Sequence, residues 1–371
     1  MLNSFLRTGI TGRAVRSELL NVRVIDLHDF GTGNYKQIDD YVFGSGGMLL
    51  AAPQLKDALN SVLKPGGGNF VAYPSPQGIL LNQEAVESLA LQENLIIICG
   101  RYEGIDERFI SKYVDLEFSI GDCVLTGGEI PAMALVDAVS RLIPGVIGKN
   151  KAVVEDSFYR GMLDNPNYTR PFSWEGFEVP EVLLSGNEKE ISRWRRKIAV
   201  QRTLTRRPDL ISRASVREYI SDGVSIAVIT EDEKVDLSGV SEICAAYDLG
   251  RLNIIAKTRE LREGIKKLYP EAKISGSLQK LSEHLKSKSK SERLMIVKVF
   301  SDARENSFHS LEIKRRCLEH DGGILFVFAQ NGSVLEKENF NGISGYIYEK
   351  NIEIPLNMQI GIALDKFLGK R

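Results

Sequence analysis

Two glycine-bounded segments in the first third of the chain combine charged side chains with a flexible backbone. Residues 99–108 read Cys-Gly-Arg-Tyr-Glu-Gly-Ile-Asp-Glu-Arg and directly follow the apolar run 95–98, which is typical of a buried strand. Residues 119–133 predict a second strand that closes on the turn Gly127-Gly128. Ligands of open α/β sheets bind beyond the carboxyl ends of strands, and glycine lets the backbone approach them closely. The two segments therefore predict a binding pocket made largely of backbone.

Two short motifs further along the chain complete a recognisable set. Residues 156–158 read Asp-Ser-Phe, and residues 167–171 read Asn-Tyr-Thr-Arg-Pro. Together with the glycine-bounded segments they closely resemble the bacterial tRNA (guanine-N1)-methyltransferase family, TrmD. That family belongs to the SPOUT class of trefoil-knotted, S-adenosylmethionine-dependent enzymes. The resemblance runs from about Gly9 to about Pro208.

The resemblance implies methylation of N1 of guanine 37 in tRNA. S-adenosylmethionine supplies the methyl carbon, so the protein has to position the acceptor nitrogen and remove its proton. Guanine N1 carries a proton at neutral pH, so a general base is required, and a cation near O6 would stabilise the developing charge. By family match, Asp156 is the base and Arg141 contacts O6 or phosphate. Taken alone, Asp156 could equally be a helix N-cap and Arg141 a surface residue near a helix C-terminus.

The resemblance also implies a cofactor pocket and a lid over the target base. The expected contacts to S-adenosylmethionine are Tyr73, Pro76, Gly78, Gly100, Tyr102, Glu103, Gly104, Ile120, Gly121, Leu125, Gly127, Gly128 and Pro131. Their glycines could serve tight turns alone, although in this fold the tight turns form the cofactor site. Glu103 is a candidate to face the positive sulfonium or a magnesium ion, which the family is thought to use. The lid would contain Asp164 and Arg170, for each of which an ordinary loop position is the competing interpretation.

A basic cluster between residues 185 and 208 indicates a nucleic-acid partner. It holds eight basic residues against two acidic ones, although the whole chain has a net charge of −1. Such clustering can neutralise phosphates, and arginine suits phosphate geometry. A solvated helix face is the alternative, but the predominance of arginine and Trp194 within the run favour RNA. The expected tRNA contacts are Arg193, Arg195, Arg196 and Lys197.

Composition bounds the remaining possibilities. The chain has 371 residues, of which 43% are hydrophobic, so two or three domains with substantial cores are expected. No apolar run has the length of a membrane span, and the first residues do not resemble a secretory signal, so no membrane partner is expected. Four cysteines and four histidines lack metal or disulfide spacing, which predicts no metal site and a reducing, cytoplasmic location. A P-loop motif is absent from the sequence.

Two cysteines in the glycine-bounded segments raise a different chemistry. Some RNA methyltransferases use a cysteine nucleophile to activate a pyrimidine carbon. Cys99 ends an apolar strand, where a buried structural thiol is the default, and Cys123 stands where the family often has tyrosine. Neither cysteine is expected to be catalytic.

The elements that would position these residues form an α/β pattern. Strands are expected at 70–73 and 95–99, and helices at 83–92 and 130–142. We expect a knotted SPOUT domain over residues 1–148, a connector over 149–158 and a helical, basic, tRNA-binding domain over 159–220. In the family a further strand precedes the residue that corresponds to Met1, so we expect this sheet to lack it and to have an unpaired strand edge.

The last domain, residues 221–371, begins a fresh α/β pattern outside the resemblance to TrmD. Strands are expected at 224–229, 252–256, 294–300 and 324–329, helices at 240–247, 260–269 and 360–368, and a flexible loop at 287–291. Ile354-Pro355 echoes Ile130-Pro131, and the domain resembles a second SPOUT-type RNA methyltransferase domain. Its candidate cofactor contacts are Ala329, Asn331, Gly332, Ile354, Leu356 and Met358. The loop that contains Asn331 is poor in glycine, so a module that only dimerises or binds RNA remains open.

The active form is expected to be a homodimer, because SPOUT domains pair about the knot and twofold pairing is the commonest assembly. Two other functions compete with methylation of guanine N1. One is methylation of another RNA atom, such as a ribose 2′-OH, and the other is a non-catalytic RNA-binding adaptor.

Overall fold

A computed structural model describes residues 1–44, 46–147, 156–158, 161–220, 223–288, 293–338, 342–349 and 354–369, without the side chain of Glu218. The chain forms two compact units, Met1–Glu155 and Asp156–Arg371. Both contain parallel sheets and helices, which confirms the predicted α/β class. In the described parts of the chain, no helix combines the length and apolar character needed to cross a membrane. The first part of the predicted connector, 149–155, lies outside the described residues, and 156–158 form a bend and turn.

A three-stranded parallel sheet organises the first unit. Its described helices are α1 (Leu2–Phe5), α2 (Gly9–Arg16), α3 (Ala52–Asn60), α4 (Gln83–Ala90), α5 (Glu107–Tyr113) and α6 (Glu129–Ser140). Its described strands are β1 (Asp39–Tyr41), β2 (Met48–Leu50), β3 (Asn69–Leu80), β4 (Asn94–Ile97) and β5 (Leu116–Ser119). The sheet order is β4-β3-β5, and β1 pairs with β2 as a separate antiparallel ribbon. The carboxyl ends of β3, β4 and β5 therefore meet at one edge of the sheet.

Strand β3 separates two apolar layers because successive side chains point to opposite faces. Val71 and Tyr73 join one core with Leu55 and Phe109, while Ala72 joins the other core, which also contains Leu135 of α6. This central position makes β3 the support on which the neighbouring loops are built.

The second glycine-bounded segment differs from the prediction. A strand was expected to begin at Ser119, but β5 ends there and residues 120–128 form a loop before α6. The Ser119 hydroxyl donates to the carbonyl of Gly121 at 2.9 Å, and Gly121 has a φ of 146°, which side-chain-bearing residues rarely adopt. This local turn ends β5 before the apolar residues that follow, and it was those residues that had suggested a strand.

A seven-stranded parallel sheet organises the second unit. Its described helices are α7 (Glu188–Arg206), α8 (Val240–Ala246), α9 (Arg259–Leu268), α10 (Leu278–Lys288), α11 (Ser310–Glu319), α12 (Gly332–Lys337) and α13 (Leu356–Leu368). Its strands are the hairpin β6 (Ser173–Trp174) and β7 (Phe177–Glu178), followed by β8 (Val224–Ile229), β9 (Asn253–Ile255), β10 (Lys273–Ser275), β11 (Leu294–Asp302), β12 (Ser307–Phe308), β13 (Gly323–Ala329) and β14 (Ile343–Tyr348). The sheet order is β10-β9-β8-β13-β11-β14-β12.

Both faces of this sheet are covered, as expected for a parallel sheet. One face packs on α10 and α12 through Leu281 and Leu335. The other face packs on α11 and α13, and its core also takes in Val200 of α7 and Ile220. The helical segment and the last sheet thus share one hydrophobic core. The division at residue 220 stays a prediction.

The predicted flexible loop at 287–291 is wrong at its start. Ser287 and Lys288 are the last residues of α10, where the Ser287 hydroxyl donates to the carbonyl of His284 at 2.9 Å. Residues 289–291 lie outside the described residues.

Candidate active site

The loops of the predicted pocket begin at an interruption in β3. Pro74 and Ile79 both pair with Phe118, so the residues between them bulge out of the sheet. At Gly78 the chain comes back so close to β5 that a Cβ added there would overlap the backbone nitrogen of Phe118. Pro76 lies in the same bulge and is exposed. This bulge is the first of three loops at the carboxyl edge of the sheet.

The loops after β4 and β5 are joined to each other. The backbone N–H of Gly128 donates to the carbonyl of Gly100 at 2.9 Å, and Arg101 forms an isolated bridge with Gly127. The Arg101 side chain reaches across as well, donating from Nε to Oε1 of Glu129 at 3.0 Å. The two predicted glycine turns therefore form one structure.

Tyr73 lies beneath this structure and limits what can fit there. A Cβ added to Gly100 or Gly104 would lie 2.9 or 3.0 Å from the Tyr73 hydroxyl oxygen. Burial and the nearby carboxylate of Glu117 raise the pKa of Tyr73, although the backbone of Ile105 hydrogen-bonds to its hydroxyl and opposes the shift. The hydroxyl is therefore neutral at ordinary pH and supports the loop backbone.

At Gly128, the loop after β5 also lies very close to the other two loops. A Cβ there would lie 2.9 Å from the Cα of Cys99 and 3.1 Å from Cγ of Pro74. The three loops thus meet through backbone and leave no room for side chains at their junction. Pro131 is buried in the first turn of α6, which starts directly after Gly128.

The remaining predicted pocket residues lie on the exposed side of the loops. Tyr102 is 66% exposed and has a left-handed φ of 56°. Ile120 and Leu125 are each more than a third exposed, and they flank Gly121 in the loop after β5. A backbone junction with apolar side chains exposed around it suits a ligand that is partly flat and apolar.

Glu103 faces the ribbon formed by β1 and β2. A Cβ on Gly47 would lie 2.8 Å from Cγ of Glu103, and the Glu103 N–H donates to the carbonyl of Met48 at 3.1 Å. Among the described residues, no three His, Cys, Asp or Glu side chains come together as a metal site would require. The described residues therefore offer no cluster of ligands that fits a protein-held magnesium ion.

The two cysteines of these loops lie in different environments. Burial, reinforced by the carboxylate of Glu129, raises the pKa of the Cys99 thiol to about 12. A thiol with that pKa is almost wholly protonated at neutral pH and is a poor nucleophile. Cys123 is exposed in the loop after β5.

The two predicted catalytic residues belong to different units. Arg141 directly follows α6, and its N–H donates to the carbonyl of Asp137, whose carboxylate accepts from Thr11 at 3.2 Å. Asp156 is exposed at the start of the second unit. The next residue, Ser157, accepts a hydrogen bond at its hydroxyl from the N–H of Asp164 at 2.9 Å. The structure thus brings the Asp-Ser-Phe motif and the start of the predicted lid together.

The predicted lid is anchored to α7. Met162 is buried, and the N–H of Leu163 donates to the Thr203 hydroxyl at 3.0 Å. Further along, the rings of Tyr168 and Trp194 lie 6.3 Å apart. Arg170 is exposed two residues later. The sequence alone indicated neither anchor, because both depend on contacts between distant residues.

The predicted basic residues of α7 separate into two faces. Arg193, Arg196 and Lys197 line a groove against the last sheet's helices, whereas Arg195 is exposed and does not line it. A helix places residues three and four apart on the same face, which accounts for this division.

In the last domain, a helix begins within the segment that was expected to be a loop around Asn331. The Asn331 side chain accepts a hydrogen bond from the N–H of Ser333 at 3.0 Å, and Gly332 is the first residue of α12. The nearest atom to a Cβ on Gly332 would lie 3.4 Å away, which is ordinary contact. Ala329 and Leu356 are buried, Ile354 is partly buried and Met358 is 54% exposed. The close backbone approach seen in the first unit is not repeated at Gly332.

Comparison with known proteins identifies the first part of the chain. The model of the family tRNA (Guanine-1)-methyltransferase TrmD matches residues 1–213. The chain belongs to this family. A tRNA (guanine-N(1)-)-methyltransferase of Vibrio vulnificus is 49% identical over 220 residues, which cover 59% of this chain and 88% of the relative. A Pasteurella multocida protein of the same name is 50% identical over 213 residues, covering 57% of this chain and 87% of the relative. The expected family is thereby confirmed, and the chain is an enzyme of the family.

Proposed function

We propose that the enzyme methylates N1 of guanine 37 in tRNA with S-adenosylmethionine. The observation that carries the proposal is the backbone junction in a chain of this family, where Gly100 and Gly104 lie against buried Tyr73, Gly78 against Phe118 and Gly128 against Cys99. Bound S-adenosylmethionine would supply an electrophilic methyl carbon. The residues fit it, because its adenine and methionine parts can be held by backbone N–H and C=O groups where no side chain fits.

Asp156 acts as the general base in this proposal. Its carboxylate takes the proton from N1, which frees the nitrogen lone pair to accept the methyl group that bound S-adenosylmethionine would supply, leaving S-adenosylhomocysteine. Arg141 stabilises the negative charge that develops on O6 as the proton leaves. Asp164 and Arg170 hold the target nucleotide beneath the lid, and Arg193, Arg195, Arg196 and Lys197 contact tRNA phosphates. The free thiols Cys99, Cys123, Cys244 and Cys317 support a reducing, cytoplasmic location.

Methylation of an unmodified tRNA transcript tests the reaction. Incubation with S-adenosylmethionine, digestion and nucleoside mass spectrometry should yield 1-methylguanosine at position 37 of a transcript with G36 and G37. A transcript in which adenine replaces G37 is the matched control and should stay unmethylated. A 2′-O-methylated nucleoside in place of 1-methylguanosine would contradict the proposed acceptor, and absence of cofactor binding would favour an adaptor.

We also propose that the active form is a homodimer and that both sheets carry a trefoil knot. In the second unit the strand order supports the knot, because β14 lies beyond β11 and not beside β13, which precedes it in the chain. Light scattering should give about twice the chain mass of 41.3 kDa. A monomer that retains full activity would rule out the dimer.

The last domain, in this proposal, is a second SPOUT-type domain that binds S-adenosylmethionine weakly or not at all. The support is the ordinary contact distance around Gly332 and the use of Asn331 as a helix cap. Calorimetric titration of the whole protein should give one cofactor per chain. Two sites of similar affinity would overturn this part of the proposal.

A further inference from the structure

A groove of about 600 Å³ lies between helix α7 and the end of helix α11. One wall is a stripe along α7 that contains Arg193, Arg196 and Lys197, and then Gln201 and Thr205 one and two turns later. The other wall contains Tyr219, from the segment that precedes the last domain, and Arg315, Leu318, Glu319, His320 and Asp321 of the last domain. The volume is in the range of sites that bind small molecules or single nucleotides.

The floor and the rim of the groove differ in chemistry. The floor is apolar, because Val200 and Leu318 are almost fully buried beneath it and Leu204 packs beside them. The rim is mainly cationic. Two of its cations are paired with acids on the opposite wall or the same helix: Arg193 lies 2.8 Å from Asp321, and Arg315 lies 3.3 Å from Glu319.

The next turn of α7 has cations without such acids. Arg196 donates from Nε to the carbonyl of Ser192 at 3.3 Å, which leaves its charge uncompensated, and Lys197 forms no ion pair with the described residues. Two cations above an apolar floor form a site for a ligand with an anionic group and a flat, weakly polar part. A nucleotide has both, since phosphates bind arginine and lysine while bases stack on apolar or aromatic side chains.

We infer that this groove binds a nucleotide of an RNA chain, so that the last domain takes part directly in holding the RNA. Arg315 lies outside residues 1–213, the part of the chain that matches the family. It therefore adds a phosphate contact that the matched region cannot supply. The RNA is the tRNA of the proposed function, on which the inference rests for its choice of ligand.

Arg315 and Arg259 make a matched pair for the test. Each arginine forms a surface ion pair with a glutamate four residues later, Glu319 and Glu263 respectively. Their side chains are 54% and 83% exposed, and Arg259 in α9 does not line the groove. Arg315→Gln and Arg259→Gln therefore remove the same charge and an i,i+4 ion pair, one inside the groove and one outside it; Arg315 in addition lies 3.8 Å from Glu312.

The measurement is fluorescence anisotropy of a labelled, unmodified tRNA at several salt concentrations. Arg315→Gln should weaken binding by about 3–10-fold and reduce the slope of log affinity against log salt by about one, as expected for the loss of one phosphate contact. Arg259→Gln should bind within about twofold of the wild type. Equal affinities and slopes for the two variants would overturn the inference.

Cross-linking provides a test that needs no variant. A tRNA carrying 4-thiouridine is bound to the wild-type protein and irradiated, and the attached peptides are identified by mass spectrometry. Cross-links in α11 or beside Tyr219 are expected. Cross-links confined to residues 1–213 would contradict the inference.

The two proposals can fail separately. If the wild type makes 1-methylguanosine while Arg315→Gln behaves like Arg259→Gln, the reaction stands and the groove does not bind RNA. If no 1-methylguanosine forms but Arg315→Gln alone weakens RNA binding, the groove stands and the proposed reaction does not.

Discussion

Gly78 is the residue at which the pocket depends most directly on the absence of a side chain. Its missing Cβ allows β3 to rejoin β5 beside Phe118 after the bulge. Gly78→Ala should therefore force the two strands apart and destabilise the first unit by about 3 kcal/mol, with loss of cofactor binding. Thermal unfolding and cofactor titration measure both effects.

The control for this substitution is Gly46→Ala. A Cβ there meets no atom of the described residues within 4 Å, and the residue does not adopt a left-handed φ. Its unfolding free energy should change by less than about 0.5 kcal/mol. Similar stabilities of the two variants would show that the bulge adapts to a methyl group.

Asp156→Asn tests the assignment of the base. The amide keeps the shape of the side chain but cannot accept the proton from guanine N1, so turnover should fall about 10²–10⁴-fold. Affinity for S-adenosylmethionine should hardly change, because the glycine junction lies in the other unit. Single-turnover kinetics with saturating cofactor gives the rate. Turnover near the wild-type value would mean that another group removes the proton.

Cys99 and Cys123 should react with alkylating agents at very different rates. With a pKa of about 12, roughly one Cys99 thiol in 10⁴ is ionised at pH 8, and its rate should rise as the pH approaches 12. Cys123 is exposed, so iodoacetamide at pH 8 should label it first. Peptide mass spectrometry against time and pH checks this order. Early labelling of Cys99 would show that the loops open readily.

The sequence predicted the pocket's glycines but not what holds its loops together. Gly100 and Gly128 stood out because a glycine directly beyond an apolar strand is typical of a tight turn or a close backbone approach. The ion pair between Arg101 and Glu129 did not stand out in the sequence, since two charged residues 28 positions apart carry no periodic signal. Their only sequence signal is position, because each lies beside a glycine in its own turn.

At the scale of elements, long apolar runs were the most reliable signal. Strand β8 begins and ends where the sequence predicted, and β13 starts one residue early. Both are buried on two faces, so every residue in the run is apolar or small. Strands β1, β2 and β12 were not predicted, because two or three residues show too little alternation; β9 is as short but lies in the predicted segment 252–256. Their pairing depends on tertiary contacts.

Lys314 links elements that are far apart in the sequence. Its side chain is 1% exposed, and its ammonium donates to the carbonyls of Ser212 and Gly369 at 3.1 and 3.0 Å. Lys314→Met keeps the length but leaves these acceptors without this donor. Because the variant no longer buries a charge, part of this loss is offset, so we expect a destabilisation of about 1–3 kcal/mol.

Urea unfolding measures that change. Lys280→Met in α10 is the control, because Lys280 is exposed and its loss should alter stability by less than about 0.5 kcal/mol. A Lys314→Met protein as stable as the wild type would mean that the two carbonyls find other donors.

At the scale of the whole molecule, the helical segment and the last sheet share one hydrophobic core. Val200, Ala214 and Ile220 are buried in the same core as Ile226 and Ile360. A protein that ends at residue 220 should therefore expose an apolar surface on α7 and on the segment after it. We expect limited proteolysis to cut residues 161–220 much faster in this truncated protein than in the full chain.

The first unit of the truncated protein serves as the internal control. Its cores contain only residues from the first unit, so its cleavage rate should stay the same. Equal protection of residues 161–220 in the truncated and full-length proteins would show that the shared core is dispensable.

The shared core also constrains how this protein can evolve. A domain joined by a linker alone can be lost through a single early stop codon, with no effect on its neighbour. Here the same event would uncover Val200 and Ile220, so a shortened descendant would need compensating polar substitutions at once. Selection for a stable helical segment would therefore retain the last 150 or so residues even if the loop at Asn331 bound no ligand. Among descendants, that loop should drift freely while the buried stripe of α7 changes slowly.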